Sequence, residues 1–94
     1  MRESHVEDYL RERVKAEGGE IRKARWIGRR GAPDDVVFLR GAHFVECKAP
    51  GKPLEPHQQR EHDRMRCRGV RVWKIDTLED VDKFLRYVKT RGHE

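Results

Sequence analysis

Three side chains near the middle of the chain have the types and spacing for phosphoester chemistry. Asp34 follows Pro33 and precedes an apolar run, Val36-Val37-Phe38-Leu39. After a break at Arg40-Gly41-Ala42 comes a second run, His43-Phe44-Val45-Glu46-Cys47-Lys48. Side chains alternate faces along a strand, so Glu46 and Lys48 share a face. If the two runs pair as a hairpin, Asp34 comes near Glu46. Two carboxylates and one ammonium then converge at a sheet edge, where they can hold a hard divalent cation and assist phosphodiester hydrolysis.

Each of these residues also has a plainer reading. Pro-Asp is a common turn dipeptide. Asp35 rivals Asp34 as a ligand, and the two face opposite sides if both lie in the strand. Glu46 interrupts an apolar strand, and a buried carboxylate without a partner is costly. Its partner is either Lys48, as an ion pair, or a metal. The carboxylates of Asp34 and Glu46, the backbone carbonyl of Cys47 and a helix acid at Glu7 would supply oxygens. Oxygen donors without a histidine cluster suit magnesium or manganese better than zinc. Lys48 would then position water or offset charge in the transition state. The Cys47 side chain faces away from Glu46 and is expected to be a buried free thiol. A zinc set drawn from Cys47, Cys67, His57 and His62 lacks any recognised ligand spacing, and two cysteines are too few for a disulfide framework.

The elements that must position these groups are legible from periodicity. Val6, Tyr9, Leu10 and Val14 predict a helix over residues 4–17, capped by Ser4 with Glu7 as a capping box and ended by Gly18-Gly19. A strand is expected over residues 20–27, with Ile21 and Trp26, then a basic turn from Gly28 to Gly31. Strands near 34–40 and 43–49 follow, joined by a tight turn. Pro50-Gly51-Lys52-Pro53 reads as a loop. Pro56 starts a second helix running to about Arg68, with Gln58 near its N-terminus, where backbone N–H groups also favour phosphate. Val70 to Ile75 is a fourth strand. Thr77 with Asp80 caps a third helix striped by Leu78, Val81, Leu85 and Val88. The order is α-β-β-β-α-β-α, an α/β mixed sheet flanked by helices, in which the crossover helix allows the fourth strand to run parallel to a neighbour.

Composition sets the class of partner. The chain has 94 residues, which fits a single domain over 1–94 with a modest core. Net charge is +5, and 41% of residues are charged, which suits a polyanion. Positive charge clusters at Arg22, Lys23, Arg25, Arg29 and Arg30, and again at Arg66, Arg68 and Arg71. Lys23, Arg25, Arg29, Arg30 and loop residue Lys52 are the candidate nucleic-acid contacts. No apolar run approaches the ~20 residues of a membrane span, and no signal-peptide pattern opens the chain. A soluble, cytoplasmic protein is expected, with no membrane partner.

Taken in order, Gly31-Ala32-Pro33-Asp34, Phe44-Val45-Glu46-Cys47-Lys48 and Pro56-His57-Gln58 resemble the PD-(D/E)XK nuclease superfamily. The fuller pattern resembles the virus-type replication-repair nuclease (VRR-NUC) domain. It runs from Glu7 through Gly18-Gly19, a basic strand, Gly-x-Pro-Asp, Glu-x-Lys-Ala-Pro-Gly and Pro-x-Gln to a Gly-Val-x-Val strand, over about residues 3–88. The resemblance implies a restriction-endonuclease-like sheet with Asp34, Glu46 and Lys48 at its catalytic centre. It makes Glu7 the helix-borne acid and Gln58 the helix-borne polar residue. It also implies Mg2+ or Mn2+ as cofactor and a phage-type, stand-alone homodimer. Such an enzyme would act on branched DNA, as Holliday-junction resolvases do in repair, leaving 5′-phosphate and 3′-hydroxyl ends; a phage protein would work in the host cytoplasm. The rival readings are a non-catalytic nucleic-acid-binding module, a sequence-specific restriction-type nuclease and a protein-docking subunit.

Overall fold

Val6, Leu10 and Val14 recur at helical spacing, and all three are fully buried on one side of α1 (Glu3–Ala16). The computed structural model describes residues 1–91. After α1 come β1 (Glu20–Lys23), β2 (Asp35–Phe38), β3 (Ala42–Cys47), α2 (Pro56–Cys67), β4 (Val72–Ile75) and α3 (Leu78–Arg91). This is the order expected from the sequence. The four strands lie in the order β1-β2-β3-β4. The first two pairings are antiparallel, and β4 joins β3 in parallel after the α2 crossover.

The two faces of this sheet differ in character. Val37, Val45, Cys47 and Ile75 meet Val6, Leu10 and Val14 of α1 and Val81, Phe84, Leu85 and Val88 of α3. Phe84, absent from the expected stripe, is fully buried and holds His43 and Trp73 edge-on. Tyr9 donates to Asp82 at 2.9 Å and ties α1 to α3. On the opposite face Phe44 lies across from Glu61, Met65 and Arg68 at the α2 side. That second layer is polar: Glu46, Lys48, Glu61 and His62 are all buried.

Several boundaries differ from expectation for physical reasons. Ser4 is not the cap of α1; the cap lies two residues earlier at Arg2, whose N–H donates to His5 Nδ1 at 3.2 Å. Glu7 therefore has no capping duty. The first strand stops at Lys23 rather than reaching residue 27. Beyond it, the Trp26 indole donates to the Pro33 carbonyl at 2.7 Å and its ring sits 5.5 Å from Phe44. Thr77 does cap α3, accepting the Asp80 N–H at 3.0 Å.

Gly31 is the glycine on which the Asp34 loop depends. Its φ is +87°, and an added Cβ would fall 2.7 Å from the His57 carbonyl oxygen and 3.0 Å from Gln58 Cα. The loop is thus pressed against the first turn of α2, three residues before Asp34. Gly18, which ends α1, also has positive φ (+85°) but opens onto empty space. Gly31→Ala is expected to destabilise by about 2–4 kcal/mol, adding backbone overlap to left-handed strain, and Gly18→Ala by about 1 kcal/mol. Thermal denaturation of the two variants checks this; equal losses would contradict the close approach.

Candidate active site

Register creates the site. Asp35 pairs with Val45, so Asp34 sits opposite Glu46. The Asp34 N–H donates to Glu46 Oε1 at 3.2 Å. Glu46 Oε2 lies 4.0 Å from Lys48 Nζ, and both side chains are less than a tenth exposed. Lys48 is held by its own backbone N–H, which donates to the Ile75 carbonyl at 2.8 Å. The Asp34 residue itself is exposed. The arrangement is a buried acid and a buried ammonium lying behind an open acid.

Charge at Glu46 is poorly compensated. Burial, then the Asp34 charge, pushes its carboxyl up to about 7, against the opposing pull of Lys48 and the Asp34 N–H. Glu3, in the first turn of α1, adds further negative charge. A divalent cation between Asp34 and Glu46 would remove this repulsion, so these oxygens fit a hard metal ion. Among the described residues, no three Asp, Glu, His or Cys side chains gather as a ready cage. A cation placed here would have two side-chain carboxylates and would need backbone or solvent oxygens to complete its shell, as magnesium accepts. The Cys47 thiol is buried on the other face, and its pKa is raised by burial, so only its backbone carbonyl is available as a ligand.

Not every expected member joins the cluster. Glu7 is engaged elsewhere: its carboxylate pairs with Lys23, which also lies 3.6 Å from Asp35. Asp35 is fully buried on the α1 side of the sheet, the face opposite Glu46. Burial, then Glu7, raises the Asp35 carboxyl to about 7. The hydrogen bond from Asp35, ahead of that from Lys23, holds Glu7 low. Gln58 is likewise occupied, because its Oε1 accepts the Glu55 N–H at 2.8 Å as part of the α2 cap. Its amide NH2 is what it can offer a substrate.

The basic residues also separate. Lys23 lies between Glu7 and Asp35, 3.6 Å from the latter, so its charge is neutralised within the protein. Arg25, Arg30 and Lys52 are exposed. Arg29 is exposed but approaches Glu61 at 3.6 Å. Two groups near the site are not marked by the sequence pattern. Trp26 was read as a strand residue, though an aromatic set among Arg22, Lys23, Arg25, Arg29 and Arg30 was a signal. Glu61 hides in a charged helix, and only its burial reveals it.

Linkage gives the site a pH signature. Between its ordinary pKa and about 7, Glu46 keeps its proton in the folded chain and loses it in the unfolded chain. Stability from this group is full below that window and is lost as pH rises through it. His43 and His62, held low by burial, act in the opposite sense. Comparison with Glu46→Gln cancels their effect. In chelator, the variant should match wild type near pH 5 and exceed it by about 2 kcal/mol near pH 8. Chemical denaturation at the two pH values measures the difference; a constant offset would contradict the burial of an unmatched charge.

Comparison with known proteins adds an independent line. No family model matches the chain. A curated protein of Acyrthosiphon pisum secondary endosymbiont phage 1, named "Putative nuclease p44", is 40% identical over 87 residues, spanning 90% of this chain and 92% of its own length. A solved structure described as a VRR_NUC domain superposes with a TM-score of 0.81 at 42% identity, covering 90% of this chain and 95% of its own.

Proposed function

The chain belongs to the VRR-NUC family of nucleases, and on that premise we propose that it is a Mg2+- or Mn2+-dependent, structure-selective DNA endonuclease. The observation that carries this reading is the buried Glu46–Lys48 pair facing Asp34 across the β2–β3 register. A structural ion pair would need no second acid beside it. Asp34, Glu46 and the Cys47 carbonyl would hold the cation, which supplies Lewis acidity and a lowered pKa for water. Lys48 places a compact positive charge where the phosphoryl group gains negative charge, and its burial makes that charge strong. The Asp34 N–H fixes the orientation of Glu46. Glu7 acts at one remove, holding Asp35 and Lys23 behind the Asp34 turn. Gln58 contributes its amide NH2 from the α2 N-terminus, where helix N–H groups favour phosphate. Exposed Arg25, Arg30 and Lys52 contact the backbone of the arms. Hydrolysis leaves 5′-phosphate and 3′-hydroxyl ends.

A twofold dimer acting on four-way junctions is the form this reading takes. Ile27 is 94% exposed and Phe38 is 47% exposed, apolar surface that a second copy would cover. A dimer matches the symmetry of a junction that needs two cuts. None of the described helices is long and apolar enough to cross a membrane.

The test is cleavage of a four-way junction, a flap, a splayed arm and a linear duplex, each with magnesium and with manganese. Junction cleavage should exceed duplex cleavage, and light scattering should give twice the 11.2 kDa chain mass. Equal cleavage of all substrates by a monomer would overturn the junction reading. Lys48→Ala should bind DNA within about threefold of wild type but turn over at least ~100-fold more slowly, and Lys48→Arg should rescue little. Parallel losses in binding and rate would reduce Lys48 to a phosphate contact.

A further inference from the structure

Beside the catalytic groups, on the same face of the sheet, lies a cavity of about 290 Å³. Phe44 lines it, and Phe44 precedes Glu46 by two residues on the same face of β3, so the cavity lies about 7 Å along the strand from Glu46. Its wall is aromatic: the Trp26 ring tilts at 53° to Phe44, with 5.5 Å between centroids. Its rim is cationic, with Arg29, Arg64 and Arg68. Glu61, 5% exposed, orders two of these guanidiniums, lying 2.9 Å from Arg64 and 3.6 Å from Arg29. Trp26 is not loose surface. Its indole N–H donates to the carbonyl of Pro33, the residue before Asp34, so the cavity wall and the Asp34 turn are joined.

We infer that this cavity receives one unpaired base of the DNA strand next to the scissile phosphate, stacked on Trp26 and flanked by phosphate contacts to Arg29, Arg64 and Arg68. The inference rests on the nuclease reading of Asp34, Glu46 and Lys48. An aromatic wall takes any base through its π-face, and arginines at the rim match a polyanion rather than an apolar peptide. A base enters only where pairing is already broken or easily broken, because unstacking a paired base opposes binding. The cavity therefore supplies a physical reason for preferring branch points over continuous duplex, without sequence readout.

A coupling experiment tests this on the full chain in chelator, so that binding is read without cleavage. Branched DNA is prepared with a single abasic site scanned across the nucleotides flanking the branch. Affinities are measured for wild type, Trp26→Ala and Trp26→Phe. One position is expected at which base removal weakens wild-type binding about 5- to 50-fold yet changes Trp26→Ala binding less than twofold. Trp26→Phe, which keeps a ring but loses the bond to Pro33, should retain most of the base effect. Absence of any coupled position would overturn the pocket. So would equal loss in Trp26→Phe and Trp26→Ala, which would make Trp26 only a brace for the Asp34 turn. Lys48→Ala cleavage of the same substrates keeps the two ideas separable. Lost cleavage without coupling removes the base pocket alone. Coupling with full cleavage removes the catalytic reading and leaves the pocket as a base-binding site.

Discussion

A carboxylate and an ammonium buried side by side organise this molecule. Glu46 in β3 and Lys48 just past its end occupy buried positions that a stable fold would give to apolar side chains, and both are nearly sealed from water. An isolated pair of this kind contributes little net stability, because desolvation opposes the attraction. Asp34, open to solvent, increases the imbalance by adding a second negative charge. The surrounding structure holds the unfavourable group in place. The parallel β3–β4 pairing fixes Lys48, the β2–β3 register fixes Asp34, and the Gly31 loop is pressed onto α2. Stability comes mainly from the other face, where α1 and α3 bury an apolar core.

This division of labour between the two faces explains how much was legible in the sequence. Strand alternation places Glu46 and Lys48 together and Cys47 opposite, and the structure agrees. Helical stripes located α1 and α3, since packing against a sheet demands them. Glu7 was harder to place. Its position beside an apolar stripe told that it lies near the sheet, but not which of two adjacent acids it would meet. Asp35, not Asp34, points toward α1, and it shares Lys23 with Glu7 as a counter-charge. Gln58 shows the same limit, because a helix-terminal amide serves a cap as readily as a substrate. Trp26 could not be placed by periodicity at all. Its position comes from a hydrogen bond across the β1–β2 connection and a ring contact with Phe44.

The second acid cluster bears on the first through the chain. On the α1 side Asp35 is buried, Glu7 is partly buried and Lys23 covers them from the surface, and Asp35 is bonded directly to Asp34. Lys23, a candidate for DNA binding on charge alone, is exposed but serves as the counter-charge for these acids. Positive charge for a polyanion is left to exposed arginines and Lys52, and to the aromatic cavity, where three arginines face the single carboxylate of Glu61. A basic net charge thus overstates the number of cations free to meet a phosphate backbone, since ion pairs within the fold consume part of it.

On the proposed reading, Glu46 gives up its proton to hold a divalent cation. Calorimetric titration of manganese in buffers of different ionisation enthalpy counts the protons released per ion bound. A carboxyl raised to about 7 should release close to one proton at about pH 6 and almost none by about pH 9. Glu46→Gln should release none at either pH. Manganese binding at about pH 6 without proton release, or with the same release in Glu46→Gln, would contradict the assignment of Glu46 to the metal.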